Sequence, residues 1–136
     1  MPYRHPVDVR YLEIDQQGVV FNMWYLAYFD DAMTGFLEAG GLPYTALQEA
    51  GFDVQLVHTE LDWQGSLRWG DRATVEVGLA GIGRTSFTLQ FGVLAGGATV
   101  ATGTTVYVAV RTDGSGKVAL PPVVLRALGT VSPLRA

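Results

Sequence analysis

Val9-Arg10-Tyr11-Leu12-Glu13-Ile14-Asp15-Gln16-Gln17-Gly18-Val19-Val20-Phe21-Asn22 runs straight into Met23-Trp24-Tyr25-Leu26-Ala27-Tyr28-Phe29. The first part reads as a strand, Val7 to Ile14, that ends on a lone carboxylate at Asp15. Gln16-Gln17-Gly18 turns the chain, Asn22 has the side chain of a helix N-cap, and an apolar helix follows from Met23 to Ala39. Its apolar positions include Trp24, Leu26, Ala27, Phe29, Ala32, Met33, Phe36 and Leu37. They wrap most of the circumference, which predicts a largely buried helix. Gly40-Gly41 ends it, since glycine tolerates the left-handed cap conformation. This order sets an acid beside a helix N-terminus. Acyl transfer requires a carboxylate to activate water and backbone N–H groups to hold an oxyanion. On a strand Glu13 would share a face with Asp15 as a paired carboxylate; an ion pair with Arg10 or another subunit is the favoured role for it.

Beyond the helix, Pro43 to Ala50 suits a second, short helix closed by Gly51. The rest is strand-rich: Val54 to Leu61, Ala73 to Leu79, Thr85 to Leu94 after the Gly81-Ile82-Gly83 turn, and Thr99 to Arg111 after a Gly96-Gly97 hairpin turn. Lys117 to Leu120 reads as a short last strand, Val123 to Leu128 as a last helix, and the residues from Gly129 on as loose. Helices and strands are segregated, which predicts an α+β domain: a curved antiparallel sheet with one face covered by the apolar helix. One domain is expected over 1–136, with a core of about 7–128 and a tail of about 129–136.

The composition narrows the function. The chain has 136 residues, 49% hydrophobic and 16% charged, with a mean hydropathy of +0.22. So much apolar material in a small domain predicts a subunit interface and a homo-oligomer. The net charge of −4 and the scattered basic residues argue against nucleic acid as a partner. Without cysteine there are no disulfides, thiolate metal sites or cysteine nucleophiles. His5 and His58 lack metal-ligand spacing. No apolar run approaches the roughly 18 residues that span a membrane, and Met1-Pro2-Tyr3-Arg4-His5-Pro6 is unlike a signal peptide, so a cytoplasmic setting is expected. Gly78, Gly81 and Gly83 lie between strands with no helix after them, so the dinucleotide-loop reading fails. Trp63 and Trp69 read as packing or interface residues, and Asp30-Asp31 as the exposed or interface side of the helix.

Three features together resemble the hotdog-fold acyl-CoA thioesterases of the 4-hydroxybenzoyl-CoA thioesterase-like group. They are Arg10-Tyr11 with Glu13, Asp15, Gly18, Val20, Asn22 and Tyr25; Leu67-Arg68-Trp69-Gly70-Asp71; and Gly83-Arg84-Thr85-Ser86-Phe87. Gly103-Thr104-Thr105-Val106 and Leu120-Pro121 fit the same template, so the resemblance covers about Val7 to Leu128. It implies a hotdog fold, a sheet wrapped around one long central helix, assembled as a homodimer or a homotetramer of two dimers. It also implies hydrolysis of an acyl-CoA thioester to the free acid and coenzyme A. The catalytic acid falls on Asp15. Gly18, Asn22, Met23 and Tyr25 fall around the thioester carbonyl, and Arg84, Thr85 and Ser86 on the turn that meets coenzyme A, in the same or the neighbouring subunit. One departure stands out: where many relatives carry histidine after the motif glycine, here Val19-Val20 follow Gly18.

The carboxylate must then work without a histidine, as general base on water or as a nucleophile that forms a mixed anhydride. No metal or other cofactor is expected, coenzyme A being part of the substrate. The rivals are a hotdog dehydratase or hydratase, which would need a histidine at the site, and a non-catalytic acyl-CoA binding module.

Overall fold

The computed structural model describes residues 2–136. Five strands form one antiparallel sheet: β1 Tyr3–Asp8, β2 Phe52–Trp63, β3 Arg72–Ile82, β4 Ser86–Ala95 and β5 Ala98–Arg111, in the spatial order β1-β3-β4-β5-β2. Three helices accompany it: α1 Trp24–Ala39, α2 Tyr44–Glu49 and α3 Pro122–Leu128. The expected α+β architecture, a curved sheet around one long helix, is the one observed.

Period-two alternation explains the seating of α1. Val77, Phe91 and Gly103 stand side by side on β3, β4 and β5, as do Leu79, Leu89 and Thr105 in the next inward row. All six are buried. Phe29 of α1 stacks flat on Phe91, with centroids 4.5 Å apart and planes 6° from parallel. Gly103 makes this possible, because a Cβ there would run into the Phe29 ring. The helix buries Tyr25, Tyr28, Phe29, Ala32 and Leu37, while Asp30, Asp31 and Glu38 stay exposed.

Several boundaries differ from expectation for definable reasons. The strand expected over Val7 to Ile14 is instead β1 Tyr3–Asp8 followed by a 3₁₀ turn, Tyr11–Glu13. The Glu13 carboxylate folds back to accept the Arg10 N–H at 2.9 Å, which closes the turn. Asn22 does not cap α1: the helix begins at Trp24, with no side-chain cap. Lys117 makes one isolated bridge to Val110 rather than starting a strand. The Gly96-Gly97 turn is as expected, both residues having positive φ (57° and 80°).

The C-terminal residues are docked, not loose. Ser132 N–H bonds Leu79 O at 2.8 Å, and Leu134 lies against Gly78, where a side chain would collide with it. Gly78 belongs to the row that includes Gln90, on the sheet face away from α1. There Arg135 donates its N–H to Gln90 Oε1 (2.9 Å), and its guanidinium to the carbonyls of Phe91 (3.1 Å) and Gly103 (2.8 Å).

Candidate active site

Asp15 sits in a small closed loop. Ile14 and Val20 bridge across it, Asp15 N–H bonds Val19 O at 2.9 Å, and Gly18 N–H bonds Asp15 O at 3.0 Å. Gly18 has φ +78°, which lets the chain turn back so tightly. Asp15 Oδ1 accepts Gln17 N–H at 2.8 Å, an Asx turn that fixes the side chain. The loop rests on the turn before β3, where Val20 N–H bonds Leu67 O (2.8 Å) and Val9 N–H bonds Asp71 O (3.0 Å). Asp71 Oδ2 closes that turn on Arg68 N–H.

The start of α1 faces the same place. Phe21 N–H bonds Glu13 O and Trp24 N–H bonds Phe21 O. Asn22 N–H and Met23 N–H, between them, donate to nothing among the described residues. Both residues are exposed. Asp15, Gln16, Gln17, Phe21 and Asn22 line one open cleft of about 380 Å³. The Asp15 carboxylate and Asn22, which just precedes the positive end of a sixteen-residue helix, thus border one space, with Met23 next in the chain.

Tyr25 takes a different part from that expected. It is 1% exposed, packed edge-on to Tyr28 (5.8 Å) and Trp63 (6.2 Å), and its N–H bonds Asn22 O. It supports the site from below. Trp63 and Trp69 are exposed.

Glu13 does not share a face with Asp15. Its carboxylate points inward, 2% exposed. It accepts Arg10 N–H (2.9 Å), Arg10 Nε–H (2.9 Å) and the Tyr28 hydroxyl (2.7 Å), and the Arg10 Nη2 lies 2.9 Å away. Burial alone would raise this carboxyl; these hydrogen bonds and the guanidinium charge outweigh it and hold the group below its ordinary range. The Arg10 pairing was expected. The Tyr28 bond was not, although a buried tyrosine hydroxyl on a core helix needs a partner and so signals one.

Arg84, Thr85 and Ser86 lie at the other end of β3. They form the turn into β4, with Arg84 exposed. Their carbonyls accept Leu120 N–H, Ala109 N–H and Gly83 N–H respectively. β3 has eleven residues, so at roughly 3.3 Å per residue this turn is about 30 Å from the Asp15 end. One chain does not bring the two groups together. Neither histidine is at the Asp15 loop: His5 Nδ1 pairs with the Tyr3 hydroxyl (3.2 Å), and His58 lies on β2 beside Glu60 (3.4 Å). Among the described residues no cluster of histidine and acidic side chains could hold a metal ion, and no helix is long and apolar enough to cross a membrane.

Comparison with known proteins places these observations. Residues 9–128 match the model of the thioesterase-like superfamily. A protein from Aquifex aeolicus that carries a provisional esterase name is 30% identical over 129 residues, 94% of this chain and 98% of its own. Among solved structures, a hypothetical protein from Aquifex aeolicus superposes with a TM-score of 0.90 at 28% identity, covering 94% of this chain and 100% of that one. A 1,4-dihydroxy-2-naphthoyl-CoA thioesterase from Synechocystis superposes with a TM-score of 0.84 at 21% identity, over 94% of this chain and 96% of its own. At that identity the likeness speaks for the fold.

Proposed function

The chain belongs to the thioesterase-like superfamily and is a thioester hydrolase, and from that premise we propose that it hydrolyses acyl-CoA to the free acid and coenzyme A with Asp15 as the catalytic carboxylate. The observation that carries this reading is the cleft that Asp15 shares with Asn22 at the helix start, where the Asn22 N–H and that of Met23 after it have no acceptor among the described residues. The thioester carbonyl oxygen accepts from these N–H groups and gains negative charge as the tetrahedral intermediate forms; the helix dipole favours that charge. Asp15 either removes a proton from the attacking water or attacks first and is freed when water opens the anhydride. The Gln17 N–H bond to Oδ1 leaves the second oxygen available for either route.

The coenzyme A end is completed by a second copy. β2 is an edge strand of twelve residues, with Leu56 and Val57 exposed on it, and such an edge is a template for pairing. Within the sheet β2 runs opposite to β3, as each neighbouring pair is antiparallel. Pairing β2 with its copy about a two-fold axis reverses the partner's strands. The turn that holds Arg84 of the partner subunit then points toward the same end of the joined sheet as the Asp15 loop, and we propose that its guanidinium meets a phosphate of coenzyme A, with Thr85 and Ser86 beside it.

The test is thiol release from a panel of aromatic and straight-chain acyl-CoAs, by wild type and Asp15→Asn in parallel. Wild type turns over at least one thioester, and the variant loses about 10²-fold or more in kcat while staying folded. Equal turnover by the two proteins would remove Asp15 from the mechanism.

A further inference from the structure

Three connections converge on Glu13. Its carboxylate receives the Tyr28 hydroxyl at 2.7 Å, which ties it to the second turn of α1. It also receives Arg10 through the backbone and the side chain, and the Arg10 guanidinium sits 5.5 Å over the ring of Trp24, the first residue of that helix. Its main-chain carbonyl accepts Phe21 N–H at 2.8 Å. The residue after Phe21 carries the first unbonded N–H of the cleft, and the residue two after Glu13 is Asp15. The acid and the oxyanion donors therefore hang from one buried residue, on opposite sides of it. The Asp15 loop's own bonds, Asp15 N–H to Val19 O and the Ile14–Val20 bridge, join its two arms but do not reach the helix side chains.

We infer that Glu13 is a positioning residue: with Tyr28 and Arg10 it fixes the Asp15 carboxylate relative to the Asn22 and Met23 N–H groups, touching neither substrate nor water itself. This rests on the proposed role of Asp15. The carboxylate suits the task because three donors converge on two oxygens of one planar group, so its orientation is over-determined. An angstrom of misplacement between reacting groups costs about 10²-fold in rate.

The first variant is Tyr28→Phe, which keeps the ring in the core and removes one donor. Its kcat falls about tenfold, with KM for acyl-CoA within about twofold of wild type. Glu13→Gln keeps the shape but turns an amide N–H toward Arg10, and its kcat falls about 10²-fold with KM again little changed. In an Asp15→Asn background, Tyr28→Phe produces no further loss of the residual turnover, because the effect runs through Asp15. A solely structural clamp gives another pattern: both variants melt earlier, yet kcat measured well below the melting temperature stays at the wild-type value, and that result overturns the inference. If Glu13→Gln does not fold, Tyr28→Phe decides alone. A wild type inert on every acyl-CoA overturns the parent reading and this one with it. A wild type silenced by Asp15→Asn but intact as Tyr28→Phe overturns only this one.

Discussion

Glu13 and Asp15 are separated by a single residue, yet Glu13 is 2% exposed with both oxygens engaged, whereas Asp15 has only Oδ1 bonded among the described residues and stays half-buried at the rim of the cleft. The difference has a consequence for pH. The folded Glu13 carboxyl titrates below its unfolded value, which is about 4.3. A depressed carboxyl contributes stability that is complete above the unfolded pKa and is lost as pH falls through the folded one. Thermal melts of the wild type should therefore weaken progressively below about pH 4.5, and Glu13→Gln should flatten that fall, since its amide does not titrate. Equal acid sensitivity in the two proteins would move the effect to other carboxylates. The place of Asp15 on a glycine turn ahead of α1 was legible in the sequence because a lone carboxylate, a glycine and a helix start are local signals. The inward turn of Glu13 was not, because it depends on a tyrosine hydroxyl fifteen residues later.

Elements were legible wherever glycine or alternation marked them. Gly96-Gly97 gave the β4–β5 hairpin because only residues at ease with positive φ fit that turn. The start of α1 misled, because Asn22 has a capping side chain but the helix begins at Trp24, and Met23, already helical in its backbone, holds the cap position with no side-chain bond. The docking of α1 was also hidden. It rests on Gly103 lacking a Cβ under Phe29, and that pairing joins residues far apart in the chain. Gly103→Ala should therefore destabilise the protein by about 1–3 kcal/mol through overpacking, with the denaturant slope unchanged. Chemical denaturation checks this; a stability equal to wild type would mean that the helix does not seat on this row.

For the whole molecule, the proposed pairing of two copies would bring together Arg84 and Asp15, which one chain keeps at opposite ends of β3. Val57→Asp alters an exposed edge residue, so the protomer fold should change by no more than about 0.5 kcal/mol, while analytical ultracentrifugation should show a shift to monomer. KM for acyl-CoA should then rise about tenfold or more, as for Arg84→Ala, the loss expected for one charged hydrogen bond. The same acyl group on N-acetylcysteamine, which has no nucleotide, should show no such change in the Arg84→Ala dimer. An unchanged KM for acyl-CoA in both variants would put the nucleotide elsewhere. The last residues of the chain have a more practical bearing. Because Arg135 is hooked onto the carbonyls of Phe91 and Gly103, anything joined after Ala136 would emerge over the middle of the sheet rather than at its rim. A purification handle or fluorescent fusion placed there would have to prise the strap away or cross the strands beneath it, whereas one placed ahead of β1 would leave from the sheet's edge.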